Sequence, residues 1–223
     1  VLVGCVLAAL ALSAGCGGDE DGDATGATRT PRTTAIDAAT RERLMTLGER
    51  VFVRHCDFCH RLNGKRPART PPPDAYGPSF DQIKPTQAYV VDRVTNGITA
   101  MGSFEGILSE RRIRAVALYV STVAGRDVVE LEPSDAVMAA GERVFEEHCR
   151  RCHTLADRVR LRKPMWPATD FNHVKPSAAF VTSLLNGEGN KFLIEFMLPL
   201  QGKLSQDEID AVAAYVSELG GPR

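Results

Sequence analysis

Cysteine is scarce in this chain, six residues among 223. Four stand in two close pairs, Cys56 with Cys59 and Cys149 with Cys152, and the other two, Cys5 and Cys16, lie near the N-terminus. Nothing remains for a structural disulfide, so small domains built from this chain must draw cohesion from elsewhere. Charge of one sign is also lacking: 27 Lys and Arg against 28 Asp and Glu leave a formal net charge of −1. With 43% hydrophobic and 25% charged residues, that balance excludes a disordered acidic or basic tail protein. No basic region dominates, which makes nucleic acid a poor partner. The apolar stretch over residues 1–14 is too short for a comfortable membrane span. No segment alternates apolar and polar residues as a half-buried strand does.

What the chain does have is one motif twice. Cys56-Asp57-Phe58-Cys59-His60 is matched by Cys149-Arg150-Arg151-Cys152-His153. C-x-x-C-H is a specific signal for covalent c-type haem: two thiols add to the two vinyl groups, and the adjoining imidazole reaches the iron from one face. Residues 48–62 read GERVFVRHCDFCHRL and residues 141–155 read GERVFEEHCRRCHTL, ten of fifteen identical at an offset of 93. Lys84-Pro85 answers Lys175-Pro176 at 91, Asn96-Gly97 answers Asn186-Gly187 at 90, and Met101, Leu108-Ser109 and Tyr119-Val120-Ser121 have counterparts at 96. Two repeats are too few for a solenoid, so the unit is a domain of roughly 90 residues present twice. Two covalently bound haem c groups are therefore expected, attached through Cys56, Cys59, Cys149 and Cys152, with His60 and His153 as iron ligands.

The N-terminus reads as a separate object. Residues 1–14 resemble the apolar region of a bacterial secretory signal. The charged start of such signals is not among them and residue 1 is Val, as expected where the N-terminus lies upstream or translation begins at an alternative codon. Ser13-Ala14-Gly15-Cys16 resembles a lipoprotein processing site, with Cys16 as the lipidated residue. Leu2-Val3-Gly4-Cys5 fits that consensus locally but would strand Val6–Leu12 on the mature chain, and ordinary cleavage or an uncleaved anchor are further readings. Residues 1–16 are thus a signal and lipobox-like segment, and residues 17–36 a small, polar, flexible tether.

Apolar residues recur at helical spacing before each motif, at Leu44, Leu47, Val51 and Phe52, and again at Val137, Met138, Val144 and Phe145, with Ser134 as an N-cap. Each repeat ends on a second helix, one beginning at Ser109 and one at the capping box Ser205-Gln206-Asp207-Glu208. This arrangement resembles the class I c-type cytochromes. In that family a glycine and an aromatic residue on the first helix pack against an aromatic on the last; the matching residues are Gly48, Phe52 and Tyr119, then Gly141, Phe145 and Tyr215. The resemblance implies an all-α fold of two tandem cytochrome c-like haem domains, residues 37–124 and 133–223, joined by a linker over 125–132. It also implies haem attachment outside the cytoplasm.

The resemblance supplies the sixth iron ligands. Met101 lies in Asn96-Gly97-Ile98-Thr99-Ala100-Met101-Gly102-Ser103-Phe104, close to the family's N-G-x-x-x-M-P-x-F, and Met197 lies in Phe196-Met197-Leu198-Pro199 after a longer approach. A thioether favours reduced iron and fills the position that oxygen or peroxide would need, whereas a methionine without that context, such as Met45, Met138 or Met165, is core filler. His173 is the spare histidine that could compete with Met197, while His55 and His148 read as surface or propionate-side residues. The family's proximal carbonyl falls on Gly77-Pro78 in the first repeat, and on Ala168-Thr169 or, with a gap, Trp166-Pro167 in the second. Arg61, Lys65, Arg66 and Arg69, and Arg150, Arg151, Arg158, Arg160, Arg162 and Lys163, make the loops after each motif basic, either a solvated surface or a ring that steers an acidic partner.

These features predict an exported dihaem carrier, periplasmic or on the outer face of the cytoplasmic membrane, that passes single electrons between redox-protein donors and acceptors. The rivals are a catalytic dihaem protein resembling thiosulfate dehydrogenases or peroxidases, with Lys191 near Met197 as its supporting feature, and a haem subunit of a larger dehydrogenase or oxidase.

Overall fold

The computed structural model describes residues 36–64, 77–98, 101–156, 158, 168–188, 200 and 202–222. Cys5, Cys16, Met165, Lys191 and Met197 lie outside the described residues, as do Trp166-Pro167 and the cations Lys65, Arg66, Arg69, Arg160, Arg162 and Lys163. Among the described residues the first repeat holds α1 (Ala38–His55), β1 (Ile83–Pro85), α2 (Gln87–Asn96) and α3 (Glu110–Val123). The second holds α4 (Asp135–Val144), one π turn (Phe145–Cys149), β2 (Val174–Pro176), α5 (Ala178–Leu185) and α6 (Gln206–Leu219). Each half is helical, as the resemblance implies.

The helix starts follow their caps. The Asp37 carboxylate accepts from the Thr40 hydroxyl at 2.7 Å and from the Thr40 N–H at 2.8 Å, and these bonds hold its pKa below the ordinary value. Ser134 accepts from Val137, and Ser205 and Glu208 form the reciprocal capping box. Ser109 stands at the N-cap of α3 without a side-chain cap bond. Helices α2 and α5 were not legible as periodic segments: Val90 and Val94 are the buried residues of α2, and Leu185 that of α5. So few inward positions trace no face. Their starts are nonetheless capped, by Thr86 and Ser177.

The first and last helices of each half cross in direct contact. A Cβ on Gly48 would fall on the carbonyl oxygen of Ala115 and 2.7 Å from the Cβ of Tyr119, and one on Gly141 would meet Ala211 and Tyr215 in the same way. Phe52 then reaches Tyr119, ring centroids 6.1 Å apart, and Phe145 reaches Tyr215 at 5.9 Å. Around these pairs close two separate cores, one including Val51, Phe52, Val116 and Val120, the other Val144, Phe145, Val212 and Val216.

The two halves meet through β1 and β2, which pair antiparallel with Ile83 opposite Pro176, Lys84 opposite Lys175 and Pro85 opposite Val174. Each strand is a β-branched residue, a lysine and a proline; the proline biases its preceding lysine toward extended backbone and lacks an N–H of its own. The flanking residues bond instead, Thr86 N–H to His173 O at 2.8 Å and Ser177 N–H to Gln82 O at 2.7 Å. Those residues correspond in the repeats, so the junction is isologous, with Lys84 and Lys175 at its pseudo-twofold centre. The linker is docked: Gly125 donates to Phe80 O, Asp127 to Asp81 O, and Glu130 pairs with Lys175 at 2.9 Å.

Gly48→Ala and Gly141→Ala force backbone apart at the two crossings. Each is expected to destabilise its own half by about 1–3 kcal/mol, read by urea unfolding of the haem-loaded chain.

Candidate functional site

Each C-x-x-C-H sits where the helix preceding it runs out. The Asp57 N–H reaches back five residues to Phe52 O at 3.0 Å, and Arg150 does the same to Phe145 O at 2.9 Å. The widened turn then tightens, with His60 N–H on Cys56 O and His153 N–H on Cys149 O, both at 3.0 Å. Two sulfurs and an imidazole are thereby gathered on one short turn, in each repeat.

The imidazoles are oriented by backbone. His60 Nδ1 lies 3.0 Å from the carbonyl oxygen of Pro78, and His153 Nδ1 lies 3.0 Å from that of Thr169. A carbonyl only accepts, so the proton is on Nδ1 and the lone pair on Nε2. Such a bond fixes the ring and raises its basicity as an iron ligand. Burial holds the His60 pKa below its ordinary value, the Pro78 carbonyl working the other way. The second repeat thus uses Thr169, the ungapped alternative.

Phenylalanine stacks on both imidazoles, Phe80 on His60 at 4.7 Å and Phe171 on His153 at 4.9 Å. These two were not singled out from the sequence, although they repeat beside the Lys-Pro pair. Their backbones are the hubs of each half. Phe80 N–H donates to Arg61 O and its carbonyl accepts from Gly125; Phe171 N–H donates to Thr154 O and its carbonyl accepts from Gly221.

Glycine explains a difference between the sites. A Cβ on Gly77 would overlap the His60 ring, so the Pro78 loop lies closer to the imidazole than any side chain permits. The second repeat has Ala168 at that position.

The first thiol of each pair is shifted away from thiolate. Burial pushes Cys56 up to about 12, with Asp57 and Cys59 adding to it, and pushes Cys149 up to about 12, with Cys152 adding. Thiolate catalysis needs the opposite shift; a thioether removes the ionisable proton altogether. Paired thiols, an imidazole presenting Nε2, and an apolar core behind them fit a covalently attached haem.

Met101 packs against the same core as Cys56 and Phe80. Its loop is tight: Ile98 and Met101 exchange both backbone hydrogen bonds at 2.7 Å, and Phe104 N–H reaches Val94 O at 2.9 Å. Gly97, at φ +70°, turns α2 into this loop where a Cβ would stand 2.7 Å from Met101 O and Ser103 N.

The other candidates disperse. His173 is exposed and stacks on Tyr89 of the first repeat at 6.4 Å, so it belongs to the junction. His55 meets the Phe104 ring edge-on, and His148 Nε2 stands 3.6 Å from a Glu147 carboxylate oxygen. Part of the expected basic ring is drawn into local ion pairs: Arg61 with buried Asp81 at 3.4 Å, Arg150 with Glu146 at 2.6 Å, and Arg158 with Glu142 and Glu146.

Gly77→Ala drives a methyl group into the His60 imidazole and is expected to cost the first half about 1–3 kcal/mol. Ala168→Gly relieves nothing in the second and should cost at most about 1 kcal/mol. Thermal unfolding monitored at the haem band distinguishes them.

The family described as Cytochrome C oxidase, cbb3-type, subunit III matches residues 43–120 and 136–216. The Cbb3-type cytochrome c oxidase subunit FixP of Bradyrhizobium sp. (strain ORS 278) is 26% identical over 184 residues, 78% of this chain and 60% of that protein. The chain therefore spans about three-fifths of that relative's length. Cytochrome c6 of Leptolyngbya boryana is 37% identical over 78 residues, 33% of this chain and 85% of that protein. No solved structure is significantly similar. Each matched segment contains one copy of the attachment motif, and the chain belongs to the cytochrome c oxidase cbb3-type subunit III family as a tandem dihaem cytochrome of the class I c type.

Proposed function

We propose that this electron carrier works outside the cytoplasm, held to the membrane by a lipid on Cys16 and a tether over residues 17–36. Residues 37–124 and 133–223 each form one haem domain. Cys56 and Cys59 join the first haem and Cys149 and Cys152 the second. His60 with Met101, and His153 with Met197, ligate the two irons as low-spin centres. The observation that carries this reading is the twofold arrangement of a cysteine pair beside an imidazole whose Nδ1–H donates to a backbone carbonyl. Among the described residues no helix is long and apolar enough to cross a membrane.

When bound, each haem supplies a one-electron couple. The chain's own residues hold that couple steady. The Pro78 and Thr169 carbonyls orient the imidazoles, Phe80 and Phe171 wall them in, and the methionine thioethers favour the reduced state. The paired strands fix one site relative to the other, which suits internal exchange between a donor bound to one half and an acceptor bound to the other.

A second reading, a haem subunit of a larger oxidase, is favoured by the similarity to FixP running through both repeats. Native electrophoresis of detergent-solubilised membranes separates the two: a haem-staining band at the size of the chain supports the independent carrier, and one confined to a large complex supports the subunit.

The ligand assignment is tested by the weak red methionine-to-iron absorption band, counted per haem. The oxidised chain should show two, and Met101→Ala and Met197→Ala should each remove one. A band from the first haem alone in the unaltered chain would move the second haem to the catalytic alternative.

A further inference from the structure

Among the described residues Asp81 is the only charged side chain that is buried. A carboxylate persists in such a place only where partners replace its water. The Gly64 N–H donates to both oxygens, at 3.2 and 3.0 Å, and the Arg61 and Arg126 guanidinium groups stand 3.4 and 4.0 Å away. The main chain is engaged too. The Asp81 N–H donates to Ser79 Oγ at 3.3 Å, and the Asp81 carbonyl accepts the Asp127 N–H at 2.8 Å. Arg126 pairs with Asp127 at 3.2 Å and lies against the left-handed Gly64, where a Cβ would fall on its guanidinium. One carboxylate thus ties the residue after His60 and the attachment loop to the linker beyond the last helix. Its chain neighbour Phe80 stacks on the His60 ring at 4.7 Å.

The second half keeps the turn and lacks the charge. Asn172, Thr154 and Asp157 stand at the positions of Asp81, Arg61 and Gly64, and Pro222 follows Gly221 where Arg126 follows Gly125. The Asn172 N–H still bonds two residues back, to Asp170 Oδ1 at 3.0 Å. The repeats share attachment chemistry but not the buried ionic cluster.

We infer that Asp81 is a positioning residue that sets the potential of the first haem apart from that of the second, with Arg61 and Arg126 opposing it. The inference rests on the reading of His60 as the first haem's iron ligand. The couple concerned takes up one electron and moves no proton, so the oxidised iron carries one more positive charge than the reduced. A fixed anion on the proximal side favours the oxidised state, and a fixed cation favours the reduced one. Coulomb energy is larger in a buried site than in water, so the buried Asp81 outweighs arginines that are about half exposed. A brace that only held the loop would have no such sign. Asparagine in the same place would keep an acceptor for the Gly64 N–H, as Asn172 keeps the turn in the second half.

The test is a spectroelectrochemical titration of the full haem-loaded chain, resolving two midpoints. The first is assigned by the full chain carrying Cys149→Ser/Cys152→Ser, which keeps that haem alone. Asp81→Asn should raise the reduced-to-oxidised ratio of the first haem at fixed potential by about threefold to tenfold, the upper figure being about 59 mV for a one-electron couple. Arg61→Gln and Arg126→Gln should each lower that ratio by a smaller factor, and Asp81→Asn/Arg61→Gln should fall between the single variants. The second midpoint should stay where it is in all four. Shifts of one sign in the aspartate and arginine variants, equal shifts of both midpoints, or lost stability with unmoved midpoints would each reduce the cluster to a brace and overturn the inference. Those outcomes leave the haem-ligand reading standing. Absence of haem from the Cys149→Ser/Cys152→Ser chain, with the unaltered chain loaded, overturns the attachment reading and the inference with it.

Discussion

In each half the close crossing of the first helix on the last places everything else. Gly48 and Gly141 have no Cβ to hold the helices apart, and Ala115 and Ala211 present backbone where they meet. That contact sets where the first helix ends, and so where the cysteine turn and its imidazole stand. From there the segment after the turn bonds back to the end of the last helix: Phe80 and Phe171 each join the attachment loop on one side and a residue after the last helix, Gly125 or Gly221, on the other. The same phenylalanines press on the imidazoles. A close-packed interior transmits a displacement instead of absorbing it, so a change at the crossing reaches the imidazole through two packed contacts.

The junction between the halves rests on equally local chemistry. A proline biases the lysine before it toward an extended form, and two such segments related by the repeat satisfy each other edge to edge. Each left-handed glycine after the last helix lies by the lysine of its own half, Gly125 at Lys84 and Gly221 at Lys175. The strands lead straight into the capped helices α2 and α5. The junction therefore needs no extended apolar interface to define an orientation. A duplicated segment that pairs with its own copy joins two haem domains as a symmetric dimer would, within one chain.

Much of this was legible in the residues. The attachment motifs, the glycine–aromatic crossings, the Ser205 capping box and the Pro78 carbonyl follow from patterns that short-range chemistry dictates. The Lys-Pro repeat was visible as a landmark, but its role was not: a three-residue strand shows no alternation, and its partner lies 91 positions away in the repeat. Phe80 and Phe171 were hidden for a related reason, since a stacking contact leaves no spacing signal. The arginines of the loops looked like an open basic ring because Asp81, Glu142 and Glu146, which bind several of them, are separated from them in sequence or lie across a helix turn. The two sites differ on the proximal side: Ala168 stands where the first repeat has the glycine that lets the loop touch the imidazole, and Thr169 where it has the proline that supplies the carbonyl.

The central claim is that each of the two turns carries its own covalent haem. Pyridine haemochrome quantification with intact-chain mass spectrometry tests it most directly. Two haems per chain, in the thioether form, are predicted, with one retained in Cys56→Ser/Cys59→Ser and the other in Cys149→Ser/Cys152→Ser. A single haem on the unaltered chain, or haem that acidified solvent extracts, would contradict it.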